Sequence, residues 1–211
     1  MEKTPSPGKQ RLARWLRNSA DGLCYARIAA APLLAGYIIA NPNYKSNRLA
    51  ATVAGLYCTD KLDGVMARQA AKMVGEPTTR KSAELDQKSD KILTTSLYIA
   101  VIIREYLNGE RDYAKALAVD TTVDIGRNII VNRKRSDAPE GVRVEARPSG
   151  KQKQLLYVLG AVAATSPLAE FPEGQELVEH VVDAATSLSV ISGVEMVQSI
   201  NQQTTELETT A

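Results

Sequence analysis

The sequence predicts an all-α protein built as a bundle of six helices. Alanine, leucine and charged residues dominate, apolar residues recur at helical spacing, and the patterns typical of strands are weak. Breaks containing proline, glycine or asparagine separate the helical segments, and 211 residues suffice for one domain with a substantial core. The predicted helices cover roughly residues 19–41, 48–70, 82–108, 112–133, 152–170 and 176–200.

The distribution of basic residues indicates that these helices cross a membrane. Hydropathy alone favours a soluble bundle, because its mean is slightly negative and the chain has no charge-free run of 18 residues. When the connections are assigned alternately to two sides, one side holds 18 lysines and arginines and the other holds five. This asymmetry is typical of a multi-pass protein whose basic side faces the cytoplasm. We therefore expect an integral plasma-membrane bundle of six transmembrane helices, in which an active site on the basic side would face the cytoplasm.

The N-terminal segment is basic and amphipathic. Residues 11–17 place arginines three apart around Trp15, which predicts a short helix lying at the membrane interface. The expected organisation is a basic arm at 1–18, a membrane domain at 19–200 and a polar tail at 201–211. Because the formal net charge is only +2, we expect no nucleic acid partner.

Four aspartates form two pairs at helical spacing. Asp60 and Asp63 are three residues apart, and Asp86 and Asp90 are four apart, so each pair shares one helix face. Either pair alone is more typical of a solvated surface. Two such faces turned toward each other, however, make an oxygen-rich pocket suited to hard divalent cations. The sequence therefore suggests a metal site between the second and third helices.

Small residues and one arginine follow the first aspartate pair. Gly64 and Ala67 lie on the same helix side as that pair and leave space for a bulky ligand close to the backbone. Arg68 offers a planar guanidinium that matches the geometry of a phosphate group. This combination predicts a binding site for a phosphorylated ligand beside the cations.

The whole pattern, D-x-x-D-G-x-x-A-R followed by D-x-x-x-D, resembles the signature of the CDP-alcohol phosphotransferase (CDP-alcohol phosphatidyltransferase) family. Ser82 stands where that signature has its second glycine. Three shorter segments resemble bacterial phosphatidylglycerophosphate synthases in particular. They are Leu85–Lys91, Arg27 with the following Pro32, and Gly150–Lys153.

The resemblance implies an enzyme of phospholipid biosynthesis that resides in the bilayer. Such an enzyme transfers a phosphatidyl group from CDP-diacylglycerol to a small polar alcohol, here most directly glycerol 3-phosphate, and releases CMP. The resemblance also implies a homodimer and two divalent cations, Mg²⁺ or Mn²⁺. Their ligands are expected to be Asp60, Asp63, Asp86 and Asp90, with Asp90 also acting as general base on the acceptor hydroxyl.

The resemblance further assigns residues to the two substrates. Arg127, Lys151 and Arg27 are the candidates for binding a phosphorylated acceptor, although Arg127 equally fits an ion pair with Asp124 on its own helix. The CDP-linked donor is expected to contact Asp60, Gly64, Ala67, Arg68 and Ser82.

Three alternatives remain open at this point. The same metal site serves transfer to inositol phosphate, serine or phosphatidylglycerol. The aspartates also suit a non-catalytic, soluble helical protein that binds metal, and a membrane relative that has lost catalysis and acts as a scaffold. Dependence on detergent for extraction separates the soluble alternative from the others, and CMP release with each acceptor separates the remaining ones.

Overall fold

The computed structural model describes residues 6–75, 80–139 and 148–210, and within these ranges the chain is helical with no strand. The all-α prediction is therefore confirmed. The helices are α1 (Pro7–Ala40), α2 (Asn47–Val74), α3 (Arg80–Asn108), α4 (Arg111–Ser136), α5 (Pro148–Ala164) and α6 (Pro172–Thr210), with a 3₁₀ turn at Pro167–Glu170.

Local side-chain and backbone preferences account for several helix ends. The Ser46 hydroxyl accepts a hydrogen bond from the Leu49 backbone N–H at 3.2 Å and so caps the start of α2. Gly75 ends the same helix with φ of 70°, and Gly109 turns the chain between α3 and α4 with φ of 97°. Both angles favour glycine, which has no Cβ to clash with the backbone.

Several predicted boundaries differ from the structure. The sixth helix, predicted to end at residue 200, continues to Thr210. Two further differences have identifiable reasons. The fifth helix ends at Ala164 rather than at residue 170, because Ser166 and Pro167 begin a separate 3₁₀ turn. The separate interfacial helix at residues 11–17 is part of α1, which runs unbroken through Gly22 and Pro32. Neither residue ends the helix: Gly22 costs about 1 kcal/mol and Pro32 about 3 kcal/mol, and the packing of α1 against α2 and α3 outweighs both costs.

The six helices pack in a defined order around an apolar core. Helix α1 contacts α2 and α3, α4 contacts α3 and α6, and α5 contacts α6 and α2. The largest core residues, such as Ile38, Val53, Leu93, Leu97 and Val182, are fully or almost fully buried. This packing brings α1 against the C-terminal half of α2 and the N-terminal half of α3, where the aspartate pairs lie.

The outer surface is rich in large apolar side chains, while several charged groups are buried. Leu33 is 74% exposed and Val119 is 64% exposed, whereas Arg27 and Glu105 are completely buried. By length and composition, Pro7–Ala40 and Pro172–Glu206 qualify as candidate membrane spans among the described helices. Core helices of soluble proteins meet the same criterion, so the arrangement of the charges carries more information than length.

A buried polar cluster ties α3 to the connections on either side of the core. Glu105 accepts hydrogen bonds from the Tyr44 hydroxyl at 2.7 Å and from Lys45 Nζ at 3.1 Å. Lys45 Nζ also donates to the Ala169 carbonyl at 2.7 Å. The cluster therefore joins the α1–α2 connection, α3 and the 3₁₀ turn.

We expect Glu105→Ala to lower the free energy of unfolding by about 3–5 kcal/mol, because it leaves the buried Lys45 charge without its carboxylate. Unfolding followed by circular dichroism in mild detergent measures this loss. The matched control is Glu110→Ala, five residues later, where an exposed carboxylate makes no capping hydrogen bond and the expected change is below about 0.5 kcal/mol. Equal effects of the two substitutions would show that the buried cluster contributes nothing specific.

Candidate metal centre

The two aspartate pairs lie opposite each other on α2 and α3. The acidic groups of Asp60, Asp86 and Asp90 place oxygen atoms within 4.8 Å of one another. Asp63 and Asp86 form a second such group together with the Cys24 sulfur of α1. The spacing within each helix puts each pair on one face. Helix α1 packs against both helices and covers one side of the site.

One arginine from α1 lies at the centre of this cluster. Arg27 Nη1 donates to Asp60 Oδ1 at 3.1 Å and to Asp90 Oδ1 at 2.6 Å. Its Nη2 donates to Asp86 Oδ1 at 3.0 Å and also to Asp63 Oδ2. We call these four carboxylates the aspartate tetrad. A single guanidinium thus contacts every member of the tetrad.

The four carboxylates of the tetrad differ in exposure, and the two most exposed ones mark what we call its open side. The Asp63 side chain is 4% exposed and Asp90 is 16% exposed, whereas Asp60 and Asp86 are 30% and 41% exposed. Arg27, which all four carboxylates contact, has no exposed surface. A cation arriving from solvent therefore meets Asp60 and Asp86 first.

The donor set fits hard divalent cations. With all four carboxylates ionised, the tetrad carries three negative charges in excess of Arg27, so it attracts further cations. Asp63 Oδ1 is also buried without a hydrogen-bond partner in the described part of the chain. Carboxylate oxygens are the ligands that Mg²⁺ and Mn²⁺ prefer, so the residues suit these ions.

The residues predicted for a phosphorylated donor follow the tetrad along α2. A Cβ placed on Gly64 would lie 3.2 Å from Arg68 Nη1, so the guanidinium crosses directly over this glycine. Arg68 is exposed and Ala67 is half-buried. Ser82 lies in α3, but its side chain is outside the described residues. The glycine thus leaves room for Arg68 to fold back toward the aspartates.

A second polar cluster joins α4, α5 and α6. Asp124 accepts hydrogen bonds from Lys153 Nζ at 2.7 Å and from Asn128 Nδ2 at 2.9 Å. Arg127 Nη2 donates to the Ser192 hydroxyl of α6 at 2.8 Å, and its Nη1 donates to Asn128 Oδ1 at 2.8 Å. Asp124 therefore pairs directly with Lys153 and is linked to Arg127 through Asn128, between three helices.

The three residues predicted to bind the acceptor end up in different surroundings. Arg27 lies within the tetrad, Arg127 lies in the α4–α6 cluster, and Lys151 is exposed. Sequence reasoning passed over Lys153, which is 7% exposed and pairs with Asp124. The four-residue spacing between Lys153 and Tyr157 places both side chains on one face of α5. Both are buried, so this is the inner face of the helix.

Comparison with known proteins decides the family. The family model described as CDP-alcohol phosphatidyltransferase matches residues 17–192. The chain belongs to the CDP-alcohol phosphatidyltransferase family. This confirms the sequence resemblance and the prediction that the protein is a phosphatidyltransferase. No curated protein sequence matches the chain significantly.

Two solved structures share the fold of this family member. One is phosphatidylinositol phosphate synthase of Mycobacterium tuberculosis with CDP-DAG bound; it is 20% identical with a TM-score of 0.60, covering 91% of this chain and 92% of that one. The other is the same synthase in complex with manganese and citrate, at 20% identity and a TM-score of 0.59, covering 91% and 88%. At this identity the likeness establishes the helical fold alone.

Proposed function

We propose that the protein transfers a phosphatidyl group from CDP-diacylglycerol to glycerol 3-phosphate and releases CMP. The observation that carries this proposal is the convergence of the four aspartates, in the order and spacing of the family signature, around one centre. The CDP-DAG bound to the similar synthase supports the choice of donor. The manganese bound to it supports divalent-cation dependence.

The chain's own residues divide the work by position. Asp60, Asp63 and Asp86 would hold the cations, and Arg68, whose guanidinium lies over Gly64, binds the donor phosphates. Asp90 lies deeper than Asp60 and Asp86 and takes the proton of the acceptor hydroxyl. Bound Mg²⁺ or Mn²⁺ supplies the positive charge that offsets the pyrophosphate and the departing CMP. The task of the protein is then mainly positioning and electrostatics.

The distribution of surfaces supports an enzyme that spans a bilayer six times. Large apolar side chains such as Leu33, Val119 and Ile129 are more than 60% exposed, and the ionisable groups of the tetrad face inward. Buried ionisable groups surrounded by an apolar exterior are typical of functional sites inside membranes. The basic connections then lie in the cytoplasm. The family resemblance also supports a homodimer, which a mass measurement in detergent tests.

A second acceptor deserves equal testing. The similar solved structures are of a phosphatidylinositol phosphate synthase, so inositol phosphate is the main alternative to glycerol 3-phosphate. Both acceptors carry a phosphate and suit the cationic cluster of Arg127 and Lys153. Serine carries no phosphate and would engage that cluster only through its carboxylate.

The deciding experiment is an acceptor screen with purified protein in detergent. CDP-diacylglycerol is supplied with Mg²⁺ or Mn²⁺ and each acceptor in turn, and CMP release is measured. We expect release with glycerol 3-phosphate and none after chelation of the metal. CMP release only with inositol phosphate would identify inositol phosphate, and not glycerol 3-phosphate, as the acceptor. No release with any acceptor would favour a scaffold role.

We expect Arg127→Ala to raise the apparent KM for the phosphorylated acceptor by about tenfold or more, since a charge-assisted hydrogen bond contributes about 1.5–3 kcal/mol. The KM for CDP-diacylglycerol is expected to change much less. Steady-state kinetics with each substrate varied separately measures both values. Arg133→Ala, an exposed arginine on the same helix, is the control. Equal increases in both KM values would indicate that Arg127 only supports the α4–α6 packing.

A further inference from the structure

The terminal nitrogens of Arg27 coincide with two groups of side chains that suit a cation. Nη2 donates to every member of the first group, which consists of Cys24, Asp63 and Asp86, with the sulfur at 3.3 Å. Nη1 donates to two members of the second group, Asp60 and Asp90. The guanidinium thus spreads its positive charge over both positions at which the chain could hold a divalent ion.

Arg27 is strongly held through its ends and poorly satisfied elsewhere. The side chain has no exposed surface, and its Nε is buried without a hydrogen-bond partner among the described residues. An unpaired buried N–H costs free energy, and this cost disappears if the group moves into a polar cavity. The arginine is therefore attached through the four carboxylates and the Cys24 sulfur, which are the groups that a cation would also use.

We propose that Arg27 is a built-in counter-cation, which holds the aspartate tetrad together in the metal-free protein and is displaced when divalent cations bind. The inference rests on the proposed metal-dependent function. It changes the role expected for Arg27 from the sequence, because contact with the acceptor phosphate becomes possible only in the metal-loaded form. Competition between the guanidinium and the cations then sets the metal affinity of the enzyme.

Electrostatics explains why the two kinds of cation exclude each other. Without a positive charge between them, the four closely spaced carboxylates repel one another, and removing the one partner they share leaves them uncompensated. A divalent ion binding the same oxygens must come within a few ångströms of the guanidinium, where two positive charges repel strongly. The stabilisation that Arg27 provides to the metal-free form is therefore lost from the free energy of metal binding.

The test compares Arg27→Gln and Arg27→Lys with the wild type. Arg14→Gln, which removes an exposed arginine from the same helix, is the matched control. Mn²⁺ affinity is measured from the electron paramagnetic resonance signal of the free ion, and thermal stability is measured in EDTA and in Mn²⁺. We expect Arg27→Gln to bind Mn²⁺ more tightly by about tenfold or more. Its melting temperature is expected to fall in EDTA and to recover in Mn²⁺.

The Arg27→Lys variant keeps the test decisive if Arg27→Gln does not fold. A single ammonium can occupy only one of the two groups, so Arg27→Lys is expected to bind Mn²⁺ with an affinity between those of the wild type and Arg27→Gln. Displacement is tested directly by phenylglyoxal labelling of the wild type, read by mass spectrometry. Arg27 is expected to be protected in EDTA and modified in Mn²⁺, while Arg14 is modified in both.

The outcomes separate the inference from the function on which it rests. If the wild type and Arg27→Lys bind Mn²⁺ with equal affinity, or if Arg27 stays protected in Mn²⁺, the counter-cation role is overturned while the metal site stands. If neither protein binds Mn²⁺, the proposed metal-dependent function fails as well. A graded rise in affinity together with metal-dependent labelling supports displacement.

Discussion

Replacing Asp60 by alanine is expected to abolish both transfer and its response to Mg²⁺. The Asp60 carboxylate lies 3.1 Å from Arg27 and is 30% exposed, so it faces the open side of the tetrad, where a cation enters. Groups that only support metal ligands already contribute 10–100-fold to affinity or activity, so the loss of a ligand is expected to cost more than about a hundredfold. CMP release measured against Mg²⁺ concentration tests this expectation.

A surface aspartate provides the control for Asp60→Ala. Asp112 pairs with Lys115 on α4 at 3.0 Å, and its side chain is 98% exposed, so Asp112→Ala is expected to leave activity and metal response unchanged. An Asp60→Ala enzyme that stays active and still responds to Mg²⁺ would rule out this residue as a ligand. A loss of activity with an unaltered metal midpoint would instead assign Asp60 to donor binding.

The pairing of aspartates within each helix could be predicted from the sequence, because it depends only on spacing along one helix. Asp60 and Asp63, like Asp86 and Asp90, share a helix face through spacing alone, and spacing survives any arrangement of the helices. The convergence of the two faces depends on packing. The order of acidic, small and basic residues predicted it only through the resemblance to a known family.

The position of Arg27 could not be derived in the same way. It lies 33 residues before Asp60 and 63 before Asp90, and no periodicity connects residues on separate helices. Lys151 and Lys153 illustrate a finer difficulty. Only two residues apart, they point to different sides of α5, and the lysine chosen from the motif is the exposed one. Charge pattern identifies basic residues, whereas burial selects among them.

Helix boundaries also differ in how far the sequence alone predicts them. The ends marked by glycine in the left-handed region or by a serine cap could be predicted, because the preference belongs to one residue. The continuity of α1 from Pro7 to Ala40 could not, since the change near residue 18 from a basic amphipathic segment to an apolar one predicts two separate helices. Packing of α1 against α2 and α3 supports one long helix that local pattern alone does not reveal.

Asp90→Asn is expected to eliminate transfer while CDP-diacylglycerol still binds with close to wild-type affinity. Asparagine keeps the shape of the side chain and can still accept the hydrogen bond that Arg27 Nη1 donates at 2.6 Å. It cannot take the proton of the acceptor hydroxyl, and loss of a general base lowers rates by about 10²–10⁴-fold. Single-turnover CMP release and equilibrium donor binding measure the two effects separately.

The comparison that isolates proton transfer is Asp86→Asn, one turn earlier on α3. Asp86 is 41% exposed and Asp90 is 16% exposed, so the comparison sets a more exposed carboxylate of the site against a less exposed one. Because Asp86 is assigned only to metal binding, raising the Mg²⁺ concentration is expected to restore part of its activity. The same treatment is expected to leave Asp90→Asn inactive, since more metal does not replace a missing base. Unaltered turnover of Asp90→Asn would refute its role as base, and recovery at high Mg²⁺ would make it a metal ligand alone.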